Sequence, residues 1–327
     1  MQVEAPLSTF NVQLSTLIMK IAVIFPGQGS QTVGMGRDFY DRYPRARGVF
    51  EEADRTLNEP LSKLCFEGPS EELQLTANTQ PALLTVSIAI WSLLHEVIQP
   101  AFVAGHSLGE YTALVAAGAF RFSDAVKLVR NRGRFMQEAV PVGQGAMLAV
   151  LGAEVDKVQA LCEEAAEGQV LSPANFNSPG QIVIAGHSEA VKRAAEIAPR
   201  LNIKRTIPLA VSAPFHCALM KPAQDHMLPL LKEQVFHPLK FPIVTNVDAA
   251  IVENGEEARD ALIRQISGAV KWMQSIDALL KRGVDTFVEV GPGKVLTGLV
   301  KKISREVQTY NVENVEDYEQ LRAKYQS

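Results

Sequence analysis

The sequence predicts an α/β protein with a parallel-sheet core and a smaller domain inserted into it. Three observations carry that expectation. Short apolar runs alternate with helix-like segments along most of the 327 residues. The apolar stretch 101–104 enters Gly105-His106-Ser107-Leu108-Gly109 and leaves as a helix-forming run from Glu110 to Ala117. That context reads as a nucleophile elbow, the strand–turn–helix of an α/β-hydrolase-like sheet, the alternative being an ordinary βα turn. Residues 141–210 read in the order β-α-β-β-α-β, the ferredoxin-like split unit.

Taken in order, Ile21 to Phe25 is a buried strand ended by Pro26-Gly27, and Gln28-Gly29-Ser30-Gln31 continues the loop. Thr79 to Ile98 reads as a long apolar helix, followed by the elbow strand. Ser123-Asp124 is expected to cap a helix running to about Val140. Strands follow at 146–151, 170–174, 181–185 and 204–209, with helices at 154–166 and 188–198 between them. Later strands are expected at 241–246 and 286–290, the second ending in Gly291-Pro292-Gly293. The organisation is therefore an N-terminal extension at 1–19, a large α/β catalytic domain from 20–140 and 211–327, and an inserted ferredoxin-like domain at 141–210.

Bulk properties narrow the class. A hydrophobic content of 47%, a charged content of 21% and a net charge of −4 fit a globular protein with no broad attraction to nucleic acid or anionic membrane. Cys65, Cys162 and Cys217 are scattered, which argues for a reducing compartment and against a thiolate metal site. The most apolar helix-like run, 82–94, is too short to span a bilayer. Residues 1–18 hold no Lys or Arg and fit neither a signal nor a transit peptide, so they read as a disordered extension or an upstream start. The expected location is the cytoplasm.

An elbow serine needs a base within hydrogen-bond reach. Of six histidines, His216 follows the exit strand of the inserted domain, where the chain crosses between domains and clefts form. The alternative is a satisfied surface or core histidine. No carboxylate between Ser107 and His216 suits a triad, since Asp124 reads as a helix cap and Asp156 as a solvated helix face. A Ser–His dyad oriented by backbone fits better. Arg132 shares a helix face with Ala125, Val129, Met136 and Ala139, so it points inward. A buried guanidinium needs an anion, either an internal Asp or Glu or the carboxylate of a substrate. Gln28 lies in a glycine-rich loop that lacks the Gly-Lys-Ser/Thr ending of a phosphate loop. That loop is either a tight turn or a source of a second N–H for an oxyanion beside the amide of Leu108. Gly291-Pro292-Gly293-Lys294 is too short to count as a phosphate site.

Together these pieces resemble the malonyl-CoA:acyl carrier protein transacylase family of bacterial type II fatty acid synthesis, from about Lys20 to Lys302. The matching motifs are Phe-Pro-Gly-Gln-Gly-Ser-Gln at 25–31 and Gly-His-Ser-Leu-Gly-Glu-Tyr at 105–111. Arg132-Gly133 with Met136-Gln137, Asn175 to Gln181, His216, Gln265 and Glu289 to Gly293 extend the match. The resemblance implies Ser107 as nucleophile, His216 as base, and the amides of Gln28 and Leu108 as oxyanion hole. It implies Arg132 as the malonyl-carboxylate ligand and the carbonyl of Gln265 as the group that orients His216. Phe215 resembles the small-acyl pattern of related domains. Malonyl-CoA and a phosphopantetheinylated acyl carrier protein would be the substrates of a cytoplasmic monomer, with no bound cofactor or metal and no nucleic-acid or membrane partner.

Overall fold

The computed structural model describes residues 19–211 and 213–326, so the expected extension lies outside the described residues apart from Met19. The strands are β1 (Ile21–Phe25), β2 (Phe102–Gly105), β3 (Gly145–Leu151), β4 (Leu171–Ser178), β5 (Gln181–His187), β6 (Arg205–Pro208), β7 (Ile243–Val244), β8 (Ile251–Val252), β9 (Thr286–Val290) and β10 (Gln308–Val312). They form two sheets, one in the order β10-β9-β1-β2-β7-β8 and one in the order β4-β5-β3-β6.

In the larger sheet β10, β9, β1, β2 and β7 run parallel, and β8 closes one edge as an antiparallel hairpin. Every residue of β1, β2 and β9 is buried, as expected when helices cover both faces of a parallel sheet. The helix Thr76–Leu94 is buried on nearly all sides and acts as a core element.

The smaller sheet is antiparallel and has the strand order of the ferredoxin-like unit. Alternation along its central strands sends side chains two ways. Leu148, Val150, Ile182 and Ile184 pack with the helices Val155–Ala166 and Ser188–Ile197, whereas Met147, Ala149, Val183 and Ala185 join the core of the larger unit. The insert is thus covered on one face by its own helices and on the other by the larger unit.

Several expectations need correction. The long apolar helix stops at Leu94, with His95 exposed at its end, because Pro100 turns the chain soon afterwards. Ser123-Asp124 is not a cap. Arg121 occupies the N-cap without a side-chain bond, and Asp124 lies in the first turn and pairs with Arg121 at 3.4 Å. The strand expected at 241–246 shrinks to Ile243–Val244, since Pro242 has no N–H and Thr245 already turns toward Ala250. The edge strand β10 was not expected: its Gln-Thr-Tyr-Asn-Val run is half-exposed and carries no apolar signature. Among the described residues no helix is long and apolar enough to cross a membrane.

The elbow rests on a close approach of three backbones. A Cβ on Gly105 would lie 1.9 Å from the carbonyl of Gly109, and one on Gly109 would lie 2.1 Å from the carbonyl oxygen of Phe25. Only glycine lets β2 reverse into the helix Leu108–Ala116 while that helix stays against β1. Gly109→Ala should therefore cost about 3 kcal/mol or more of unfolding free energy. Denaturant unfolding measures it, and a midpoint equal to wild type would show the approach to be relaxed.

Candidate active site

Ser107 sits at the tip of the turn with φ 54° and ψ −106°, a strained conformation for a residue bearing a Cβ. Asn246 pins it, accepting from the Ser107 N–H at 2.6 Å and donating to the Gly105 carbonyl at 2.7 Å. Asn246 stands just past the carboxyl end of β7, neighbour to β2, and so reaches across the strand ends. The strain is held by a side chain from an adjacent strand.

His216 also has a positive φ, 61°, and is 4% exposed. Its Nε2 lies 2.7 Å from Ser107 Oγ. Its Nδ1 faces two acceptors, the carbonyls of Gln265 at 3.0 Å and Gly268 at 3.2 Å. Both need a donor, so the proton resides on Nδ1 and Nε2 is free to accept from the serine hydroxyl. Burial pushes the imidazole pKa down to about 3, with the positive charge of Arg132 the next cause. The ring is neutral at any physiological pH, and backbone supplies the orientation that a triad takes from a carboxylate.

Arg132 is 1% exposed on the inner face of the helix Phe122–Glu138. Nη1 donates to Gln80 Oε1 at 2.7 Å, and Nη2 donates to Gln265 Oε1 at 2.9 Å and to Ser107 Oγ at 3.2 Å. The ring of Tyr111 lies 5.3 Å from the guanidinium carbon. Among the described residues no carboxylate comes within ion-pair distance of this cation. Amides solvate it, and they leave its formal charge uncompensated beside the hydroxyl.

Gln28 and Leu108 line the same cavity as Ser107, Arg132, Met136, Phe215 and His216, a space of about 120 Å³. Leu108 opens its helix, so its N–H lies in the first turn, where no intrahelical acceptor exists. A second cavity of about 200 Å³ shares Gln28, His106, Asn175 and Leu209 and leads toward Val295 and Leu299. The structure thus brings Ser107, His216, Arg132, Gln28, Leu108 and Gln265 together around one cleft.

Sequence reasoning missed the polar frame behind them. The Gln265 side chain donates from Nε2 to the Ser107 carbonyl at 2.8 Å and to Glu110 Oε2 at 2.7 Å, a role beyond its backbone carbonyl. Gln80 and Asn246 gave no periodic signal; only their setting, a polar residue in an apolar helix and an Asn at a strand end, hints at them. The other histidines lie elsewhere. His106 turns from Ser107 to Asn177 at 2.9 Å and Trp272, and His187 accepts from the Val170 N–H at 3.0 Å. His226 packs on Phe135, and His237 is exposed. At 291–294 the helix N-terminus is already filled: Glu289 accepts from the N–H groups of Leu296 at 3.1 Å and Thr297 at 2.6 Å.

A serine on a parallel-sheet elbow, a neutral imidazole and a second sheet folded over the cleft define an acyl-transfer protein of the α/β class. The chain belongs to the acyl transferase domain family, whose match spans residues 22–321. It is 52% identical over 286 residues to the malonyl CoA-acyl carrier protein transacylase of Escherichia coli (strain K12), covering 87% of this chain and 93% of that one. With the enzyme of the same description from Bacillus subtilis (strain 168) it shares 49% over 302 residues, 92% and 95% of the two chains. Among solved structures, an acyl carrier protein S-malonyltransferase from Vibrio cholerae superposes with a TM-score of 0.90 at 46% identity, covering 92% of this chain and 99% of the other. A malonyl-transacylase in complex with a holo type II PKS acyl-carrier protein gives 0.91 at 45%, covering 93% and 99%.

The depressed imidazole pKa sets a pH dependence. His216 can accept a proton only when neutral, and its pKa lies far below the ordinary imidazole value, so acidification should leave it competent. Sulfonylation of Ser107 by phenylmethylsulfonyl fluoride, followed by intact-protein mass, should show no imidazole-type fall between about pH 7.5 and 5.5. A half-loss near the ordinary value would mean that the ring is solvated.

Proposed function

We propose that this chain moves a malonyl group from malonyl-CoA to the phosphopantetheine thiol of an acyl carrier protein through an ester on Ser107. The observation that carries the reading is the Arg132 guanidinium, buried with no carboxylate at ion-pair distance among the described residues and hydrogen-bonded to Ser107. A planar, permanently charged fork in that position suits a carboxylate bidentately. An acyl chain bound there through its distal carboxylate would set its thioester carbon beside Oγ.

In the first half-reaction the Ser107 hydroxyl gives its proton to His216 Nε2 as Oγ attacks the thioester carbon. The amides of Gln28 and Leu108 meet the developing oxyanion, each worth about 3 kcal/mol of barrier in comparable sites. The C–S bond breaks, and the CoA sulfur takes the proton back from His216. The second half runs the same path in reverse: the carrier thiol yields its proton to Nε2, sulfur attacks the seryl ester, the C–Oγ bond breaks and Ser107 is reprotonated. The Gln265 and Gly268 carbonyls hold Nδ1–H throughout. This chemistry uses no bound cofactor or metal.

The carrier protein as partner is supported by the names of the relatives and by the complex among the solved structures. The scattered, buried Cys65, Cys162 and Cys217, none of them in a disulfide, support a reducing, cytoplasmic setting.

Brief exposure to malonyl-CoA without acceptor should give one malonyl adduct by intact mass, absent in Ser107→Ala. Continuous release of CoA with no adduct would make the protein a hydrolase instead. Arg132→Ala should lower malonyl transfer about 100-fold, corresponding to ~2.7 kcal/mol, while acetyl transfer falls less or rises. Its rise is reasonable because the substitution removes a cation that weakens the base. Equal losses on both thioesters would reduce Arg132 to a packing role.

A further inference from the structure

Glu110 takes no part in the chemistry above, yet it is a fully buried ionisable group behind the site. It lies in the first turn of the helix Leu108–Ala116 with 0% exposure and does not line the acyl cavity. One oxygen, Oε2, accepts from the Gln265 amide Nε2 at 2.7 Å and from the Asn246 backbone N–H at 3.1 Å. The other, Oε1, is buried without a hydrogen-bond partner. So costly a placement calls for a reason.

We propose that Glu110 is a positioning residue for acyl selection: by accepting from Gln265 Nε2 it holds that amide in the orientation that turns Oε1 onto Arg132. The inference rests on the malonyl reading given above. A side-chain amide has two nearly isosteric orientations, and its neighbours decide between them. Here Nε2 faces two acceptors, Glu110 Oε2 and the Ser107 carbonyl, and Oε1 faces the donor Nη2 of Arg132. With the carboxylate removed, a flip would leave one acceptor behind and set an NH₂ group against the guanidinium. Arg132 would then lose one of the two amide oxygens that aim its fork, Gln80 being the other.

The role is that of an acceptor and needs no negative charge. Burial pushes the Glu110 carboxyl up to about 7; the nearby Arg132 and, from past the end of β7, Asp248 act in opposite directions. The partnerless Oε1 is the oxygen that can carry a proton, which leaves Oε2 to accept in either state. Glu110→Gln reproduces that arrangement, with its NH₂ in the place of Oε1. Glu110→Ala removes the acceptor.

The experiment compares kcat/KM for malonyl-CoA and acetyl-CoA in wild type, Glu110→Gln and Glu110→Ala, with thermal unfolding of each. Glu110→Ala should lose roughly 30-fold on malonyl-CoA and only a few-fold on acetyl-CoA, so that the ratio shifts by about tenfold. Glu110→Gln should keep the wild-type ratio within about threefold. Parallel losses on both thioesters in Glu110→Ala, or an unchanged ratio, would overturn the proposal and leave Glu110 as support for the elbow alone. If Glu110→Ala does not fold, Glu110→Asp withdraws the acceptor by one methylene and the same ratio is read. A wild-type protein that forms no malonyl adduct overturns the malonyl reading and this inference with it. Wild-type loading with no shift in the ratio overturns only the inference.

Discussion

A guanidinium held dry beside the Ser107 hydroxyl, with no carboxylate at ion-pair distance among the described residues, is the constraint on which the rest of the site depends. An isolated cation in a protein interior is expensive, and the cost must be met by hydrogen bonds to the charged group. Gln80 and Gln265 provide them with neutral oxygens, which lower the cost without cancelling the charge. A carboxylate in either position would have made a salt bridge and closed the site to a charged acyl group. Two glutamines, where an acid would give greater stability, keep the position open.

The fold delivers these groups from separate elements. Ser107 comes from the end of β2, Arg132 from the helix that follows the elbow helix, Gln80 from the core helix, and Gln265 from the end of the helix Gly255–Gln265. His216 arrives on the segment that leaves the inserted sheet after β6. Ser107 is therefore set by the parallel sheet and His216 by the exit from the insert. Gln265 joins them, with its backbone carbonyl on the imidazole and its side chain on the Ser107 carbonyl, Arg132 and Glu110. One residue fixes the relative placement of imidazole, hydroxyl and guanidinium.

Much of this was legible in the chain. Gly105 and Gly109 around Ser107 and the inward angle of Arg132 follow from local sterics and from helical period, and the structure places them as those rules require. Ser107 with its elbow could be read without any relative. His216 and the amide of Gln28 were candidates with open alternatives on the residues alone, and family resemblance decided them and supplied the carbonyl of Gln265, because pairing across 109 or 49 residues of sequence leaves no periodic trace. The Glu110–Gln265–Asn246 frame was invisible for the same reason: a buried polar residue is distinguished by partners that only the fold brings near. Strand β10 was missed because an edge strand is half wet and its residues look like loop.

The imidazole that backbone carbonyls hold is a feeble proton acceptor, since desolvation and a neighbouring cation both disfavour imidazolium. Feebleness of that kind discriminates among acceptors of the acyl group. A thiol ionises at about pH 8.5, whereas bulk water does so near 15.7, so a sulfur nucleophile needs far less assistance to reach its reactive form. The proton that the ring does take up is correspondingly easy to return, which favours departure of the sulfur as a thiol. In the reaction proposed above, weak basicity at residue 216 favours a thiol over water as acceptor from the loaded ester.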